Sequence, residues 1–323
     1  MKSLFECLRR HASRAFYPAR HSCVILLLAL GFAGLGRAAD SGKTFTTPEE
    51  AAVALDTAVK GKDSEALRAI FGPLAREFQN PDRVQATNEF ETFAAAMAQT
   101  NHISRESPTN AVLEVGTNLW PFPIPLVRGA AGWFFDAQAG EEEIQNRRIG
   151  RNELETLDVV RAYVEAQREY ASADRNGDNV LEFAQKITSS AGLKDGLYWP
   201  LDLDGDMSPL GPLVADAQET GYDLGRRKEG DAPAPYHGYY FKILKSQGPH
   251  GAAGKYNYVI NGHMIAGFAL VAWPAEWGQS GIMTFIVNQE GRVYQKDLGP
   301  KTSRLGRSMK AYDPDPTWKP SPN

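Results

Sequence analysis

Cysteine is almost missing from this chain. The only two, Cys7 and Cys23, lie within the first 23 of 323 residues. Beyond them no thiol nucleophile, thiolate metal site or disulfide is available, so stability must come from an ordinary apolar core. Long hydrophobic runs are lacking too. The longest uninterrupted one is VILLLAL at 24–30, well short of the roughly 20 apolar residues that span about 30 Å of hydrocarbon. There is no excess of basic residues to form the clustered face that phosphate backbones require. No HExxH occurs, and none of His102, His237, His250 and His263 has metal-ligand spacing to another.

The N-terminus explains two of these absences. Lys2, Arg9, Arg10, Arg14 and Arg20 precede the apolar run, and the small-residue stretch GFAGLG at 31–36 follows it. A charged region, a short apolar region and a small-residue exit make a secretory signal, with cleavage expected near Ala38. Arg9-Arg10 lacks the hydrophobic pair of a twin-arginine signal, and Cys23 precedes the apolar run, where a lipid anchor does not form. Residues 1–38 hold six Lys/Arg and one acid, so the remainder of a chain carrying −4 overall holds −9. The expected product is a cysteine-free, acidic protein of the periplasm or extracellular space. It would not span a membrane or bind nucleic acid.

Two α+β units are expected in it, at 39–140 and 141–323. In the first, Thr47-Pro48 opens a helix with acids in its first turn, Asp63 caps a second, and a third runs over 83–99. Strand-like pieces follow at 111–115, 124–127 and 132–136. The prolines of WPFPIP at 120–125 restrict that stretch to an edge or an extended entry. Helices before a small curled sheet suggest the cone-like fold of nuclear transport factor. In the second unit a long helix runs from Glu141 to Tyr170, with Leu154, Leu157, Val160 and Val164 on one stripe. A short helix is expected at 212–219. Aromatic and β-branched strands follow at 236–244, 256–260, 264–273, 282–287 and 292–296, the last two joined by a hairpin loop ending in Gly291.

Seven segments carry a family resemblance. They are WPFPIPLVRGAAGWFFDAQAGEEEIQNRRIGRNELETL (120–157), AQREYA (166–171), KDGLYWP (194–200), SPLGPLVADA (208–217), PYHGYYFKIL (235–244), GFALVAWPAEWGQSGIMTFIVNQEGRVYQKDLG (267–299) and DPDPTWKP (313–320). Together they resemble the bacterial exported family called domain of unknown function 2950. That resemblance implies export and a shared fold, with no assigned activity. The order of helix, GYYF strand, GFALVAWP and TFIVNQEGRVY also resembles the globular part of type IV pilin-like proteins, one helix on an antiparallel sheet. No hydrophobic stem leads into Glu141, so filament assembly is not implied.

Four groups of residues can carry chemistry. Asp174, Asn176, Asp178 and Glu182 alternate hard oxygens as a calcium loop does. Asn179 replaces the turn glycine and Gln185 the final acid, however, and an Asx-rich turn explains the same pattern. Asp202, Asp204 and Asp206 repeat it more weakly. Arg147, Arg148 and Arg151 can clamp a carboxylate or phosphate with their guanidinium forks. Alternatively they serve a salt-bridge network between the units, with Glu143–Arg147 and Arg151–Glu155 at i,i+4 spacing. His237, at the head of a strand, can act as an acid–base group beside a carboxylate, or be a structural histidine. Trp273 and Trp277, on one turn, offer a stacking surface for glycan or peptide, or fill the core. Three functions follow. The first is a non-catalytic module binding an envelope protein or glycan, the second a hydrolase using histidine and carboxylate, the third a calcium-stabilised module.

Overall fold

The computed structural model describes residues 42–76, 78, 80–201, 205–224 and 234–321. The expected export segment at 1–38, with both cysteines, lies outside them, as do Asp202 and Asp204. The helices begin where capping chemistry places them. Thr47 Oγ1 accepts from the Glu50 N–H, and Pro48 opens α1 (Pro48–Lys60). Asp63 caps α2 (Ser64–Phe71) and Asp82 caps α3 (Arg83–Gln99), each accepting two backbone N–H groups.

A first antiparallel sheet follows, built from β1 (Asn101–Arg105), β2 (Asn110–Val115), β3 (Trp120–Pro121), β4 (Leu126–Gly129) and β5 (Gly132–Phe135). Its order is β1-β2-β4-β5, with β3 pairing only the end of β2. The proline-rich stretch thus supplies two edge residues, as missing N–H donors dictate. β1 has no counterpart in the pattern reading, because its five residues are mostly exposed and show no alternation. Leu55, Leu113, Val115, Leu126 and Phe135 fill the core between these helices and strands.

The central element is α4 (Ala137–Tyr170), 34 residues and about 51 Å long at 1.5 Å per residue. It starts four residues before Glu141 because Asp136 accepts from the Ala139 N–H. Its first turn belongs to the first core: a Cβ on Gly140 would lie 2.7 Å from the Ile124 side chain. Its last four turns bury Leu157, Val160, Tyr163, Val164, Ala166 and Tyr170 in a second core. Leu154 does not continue that stripe; it is 66 % exposed. The buried positions going back from Val160 at i−4 steps are Thr156, Asn152 and Arg148, all polar. Helix geometry puts them on one line, so the apolar stripe turns polar in mid-helix.

After α4 come an irregular stretch and α5 (Gly211–Glu219), then the strands β6 (Tyr239–Leu244), β7 (Ser246–Gln247), β8 (Tyr256–Asn257), β9 (Val259–Ile260), β10 (His263–Met264), β11 (Ala269–Pro274), β12 (Met283–Asn288) and β13 (Tyr294–Asp297). A short helix α6 (Thr302–Ser308) and β14 (Lys319–Pro320) complete the chain. The second sheet is antiparallel throughout, in the order β14-β13-β12-β11-β6. Gly291, at φ 77°, closes the loop between β12 and β13 in the left-handed conformation that glycine allows. β11 is buried along its whole length, with α4 and α6 packed against it. The chain is therefore an α+β protein with a long helix on a C-terminal antiparallel sheet.

Candidate functional site

The polar middle of α4 is docked to the turn between β11 and β12. Gln145 Nε2 donates to the Gly278 carbonyl, and Asn152 Nδ2 to the Ser280 carbonyl at 2.9 Å. Glu153 Oε1 accepts the N–H groups of Ile282 and Met283, both at 2.9 Å. On its other side the helix meets α3. Gln85 Nε2 donates to Asn152 Oδ1 at 2.7 Å, and Asn80 Nδ2 donates to Gln85 Oε1 at 2.7 Å. Asn152 is wholly buried, and both ends of its amide are used. This seam joins α3, α4 and the 278–281 turn, with both ends of the Asn152 and Gln85 amides paired, the arrangement low-dielectric interiors demand.

The three arginines named from sequence divide here. Arg147 Nε donates to Glu143 Oε1 at 2.6 Å and its Nη1 to the Pro121 carbonyl, while the guanidinium lies 5.1 Å from the Trp120 ring centroid. Arg151 ion-pairs with Glu89 across to α3 rather than with Glu155. Both therefore tie α4 to the first sheet and its helices. Arg148 differs. It is 4 % exposed, donates from Nη2 to the Phe78 carbonyl at 2.9 Å, and leaves its buried Nε without an acceptor. Among the described residues no carboxylate lies within 4.0 Å of it, and Glu89, the acid that acts on it electrostatically, is committed to Arg151. Burial holds its pKa below the ordinary arginine value, with Glu89 opposing and Arg151 adding to the shift; an arginine remains charged nonetheless. It lines a cavity of about 20 Å³ with Glu141, Ile144, Gln145 and Gln279, at the seam between α4 and the turn.

Glu155 goes to His237 instead. His237 Nδ1 lies 2.7 Å from Glu155 Oε2, yet the ring N–H is not directed at that oxygen and neither atom completes a hydrogen bond. The expected carboxylate is present, and the ring is enclosed by Tyr222 and Tyr236, whose centroids lie 5.1 and 4.1 Å away. Tyr222 in turn donates to Asp82, the α3 cap, at 2.7 Å. His237 takes a positive φ of 48°, and the Gly238 beside it leaves space that a Cβ would deny to Asn152 and Ser280.

The 174–182 loop is an Asx turn in its hydrogen bonds. Asp174 accepts from the N–H groups of Asn179 and Gly177, at 2.8 and 2.7 Å, and the Asn179 bond leads in holding its pKa below the ordinary aspartate value. Asn176 Nδ2 donates to Asp178 at 2.7 Å and to Glu182 at 2.8 Å, so an amide hydrogen occupies the space between the two carboxylates. His263, from the β9–β10 hairpin, completes a group of three with Asp178 and Glu182, its Nδ1 at 3.4 and 3.5 Å from their oxygens. Its place there depends on pairing 81 residues away from Glu182, which no local spacing reveals. Asp206 accepts from Arg175 at 3.0 Å, which accounts for the described member of the second Asp-rich stretch.

The tryptophans separate as well. Trp273 cannot serve as a surface platform, since it is 5 % exposed. It lies under α6, where a Cβ on Gly306 would come within 2.5 Å of the indole. Trp277 is half-buried and donates from its indole N–H to Asp297 at 2.8 Å. Ser280, in the GQSG stretch, is buried, with its hydroxyl bonded to the backbone of Glu276.

No described helix is long and apolar enough to cross a membrane. Residues 42–321 match a family model described as a protein of unknown function (DUF2950). No curated protein matches the chain. No solved structure matches it either, so the likenesses to nuclear transport factor and to pilin heads stand on element order alone.

Proposed function

The chain belongs to the DUF2950 family, and from that premise we propose that it is an exported, non-catalytic binding module taking an anionic envelope component at the arginine-bearing middle of α4. One observation carries this reading: Arg148 keeps a buried positive charge with an unused donor and no ion-pair partner among the described residues. A buried cation costs several kcal/mol unless a counterion offsets it, and a bound anion is the simplest source of one. Export rests on the layout of residues 1–38. It predicts that protein recovered from outside the producing cell begins near residue 39 on N-terminal sequencing; an intact Met1 in that fraction would end the export claim.

Binding is tested by thermal melting of the full chain against acidic peptides, phosphate esters and acidic glycans. A saturable rise in melting temperature with one class, absent in Arg148→Met, is expected. Melting unmoved by every class would remove the reading. The hydrolase alternative draws on the His237–Glu155 contact alone. The imidazole's neighbours on either side are tyrosine rings, and the side-chain hydroxyl of Ser280 is already bonded to backbone, so the pair has the surroundings of a structural clasp.

A further inference from the structure

We infer that the outward face of α6 docks on a lipid bilayer carrying anionic headgroups. The stretch from Lys301 to Lys310 places a cation at every third residue, Lys301, Arg304, Arg307 and Lys310, and contains no acid. Thr302 and Gly306 are the buried positions of α6. At 3.6 residues per turn, Arg304 lies diametrically opposite them, with Lys301 and Arg307 about one turn to either side. All four cations are exposed, and none of them forms an ion pair among the described residues. On α4, by contrast, Arg147, Arg151, Arg161 and Arg168 each hold an acid. The solvated face of α4 thus carries its own counterions, and that of α6 carries none. Beneath the row, Lys242 Nζ donates to the carbonyls of Gly306 and Arg307 at 3.2 and 2.6 Å, which pins the last turn of α6 and adds a fifth positive charge. Burial, with the like charge of Lys310 adding to it, holds the Lys242 pKa below the ordinary lysine value.

The row lies on the side of the second sheet that α4 leaves open. Trp273 packs under α6, whereas its neighbour Ala272 is paired with Phe241, which packs in one cluster with Val159 of α4. Successive strand residues point to opposite faces, so the two helices cover opposite sides. Among the described residues no large apolar side chain beyond Ile265 is exposed. The face therefore offers charge with no apolar anchor for a peptide side chain or for entry among acyl chains. Spread cations without an anchor fit a plane of negative headgroups, to which each Lys or Arg near the surface adds about fivefold in affinity. The rest of the chain is acidic, but screening limits its repulsion to about 8 Å at physiological ionic strength, so the protein is oriented with α6 towards the bilayer. This face is separate from Arg148, and the inference is independent of the anion-binding reading above.

The test footprints lysines of the full chain with a water-soluble acetylating reagent, read by mass spectrometry. Vesicles of phosphatidylcholine and phosphatidylglycerol in equal parts should slow acetylation of Lys301 and Lys310 severalfold. Lys60 and Lys62, 62 % and 72 % exposed at the end of α1, should keep their rates, and pure phosphatidylcholine should protect none of the four. Comparing lysines within one chain keeps the readout apart from any attachment through residues 1–38. Arg304→Glu/Arg307→Glu reverses two exposed, unpaired charges, so the vesicle concentration for half protection is expected to rise by about 25-fold or more. Arg68→Glu/Arg83→Glu, an equal reversal at exposed positions of α2 and α3, should leave it unchanged. Sodium chloride should release the protection. No protection of Lys301 and Lys310, protection shared by Lys60 and Lys62, or protection that outlasts salt overturns the inference. An unmoved midpoint in Arg304→Glu/Arg307→Glu overturns it as well. Polyglutamate protecting these lysines where vesicles do not would assign the face to an acidic peptide and overturn the bilayer.

Discussion

Replacing Asn152 with Ala deletes an amide that accepts from Gln85 and donates to the Ser280 carbonyl, and leaves both of those buried groups unpaired. Each orphaned partner costs about 1–3 kcal/mol, so a loss of roughly 2–6 kcal/mol is expected from the shift in urea midpoint at constant slope. A loss under about 0.5 kcal/mol would show that the seam relaxes around the gap. Gly306→Ala tests a different kind of fit. Its new methyl would meet the Trp273 ring at 2.5 Å, and overpacking of that sort costs about 1–3 kcal/mol. At this scale the sequence was informative about residue type and silent about partner. Three arginines on one helical stretch marked a charged surface, but spacing paired Arg151 with Glu155, four residues on. The fold instead brings Glu89 to Arg151 and His237 to Glu155. Tertiary contacts decide such competitions, and local periodicity cannot encode them.

Two helix starts were legible because capping is local, whereas the equally local Asp136 cap of α4 was hidden behind the aromatic strand residues that precede it. Thr47 and Asp63 each precede their helix by one position and bond its first N–H groups. The long strands were legible too, through runs of aromatic and β-branched residues. The polar interval of α4 was not, since Arg148, Asn152 and Thr156 resemble a solvated face until a partner covers them. Gly150 lies within that interval, exposed, with nothing within 4 Å of the space a Cβ would take. Gly150→Ala is therefore expected to stabilise the protein by about 0.5–1 kcal/mol, read as a rise in midpoint; destabilisation would mean that this part of the helix bends in solution. For the 174–182 loop the Asn176 amide already bridges Asp178 and Glu182. Chelator and added calcium are accordingly expected to leave the melting temperature unchanged. A drop in chelator reversed by calcium would restore the calcium-loop reading.

Across the whole molecule, burial is what most alters the tyrosines. Desolvation pushes Tyr170 up to about 12 and raises Tyr163, Tyr222, Tyr236, Tyr239, Tyr258 and Tyr312 beyond the usual phenol range. A folded-state value above the unfolded one means that the native state holds the proton more tightly. The associated stability is complete below about pH 10 and drains away as pH climbs towards those raised values. Tyrosinate absorbance from these seven residues should thus rise in one step with loss of structure above pH 10, since five of the rings lie in the second core and Tyr222 and Tyr236 lie beside the α3 cap. Separate titration of these tyrosines with structure intact would contradict the burial described.

Because α4 enters the first core at Gly140 and the second at Leu157, the residues between them act as a phase setting. One inserted residue there rotates everything beyond it by about 100° and advances it by about 1.5 Å. Leu157 and Val160 would then turn off the sheet while Arg148 stayed in place. Seven inserted residues nearly complete two turns and leave an error of only about 20°, at the expense of about 10 Å of separation. A series of insertions into α4 would consequently give a periodic response, worst near half a turn, whereas loop insertions at 248–255 would show no such rhythm.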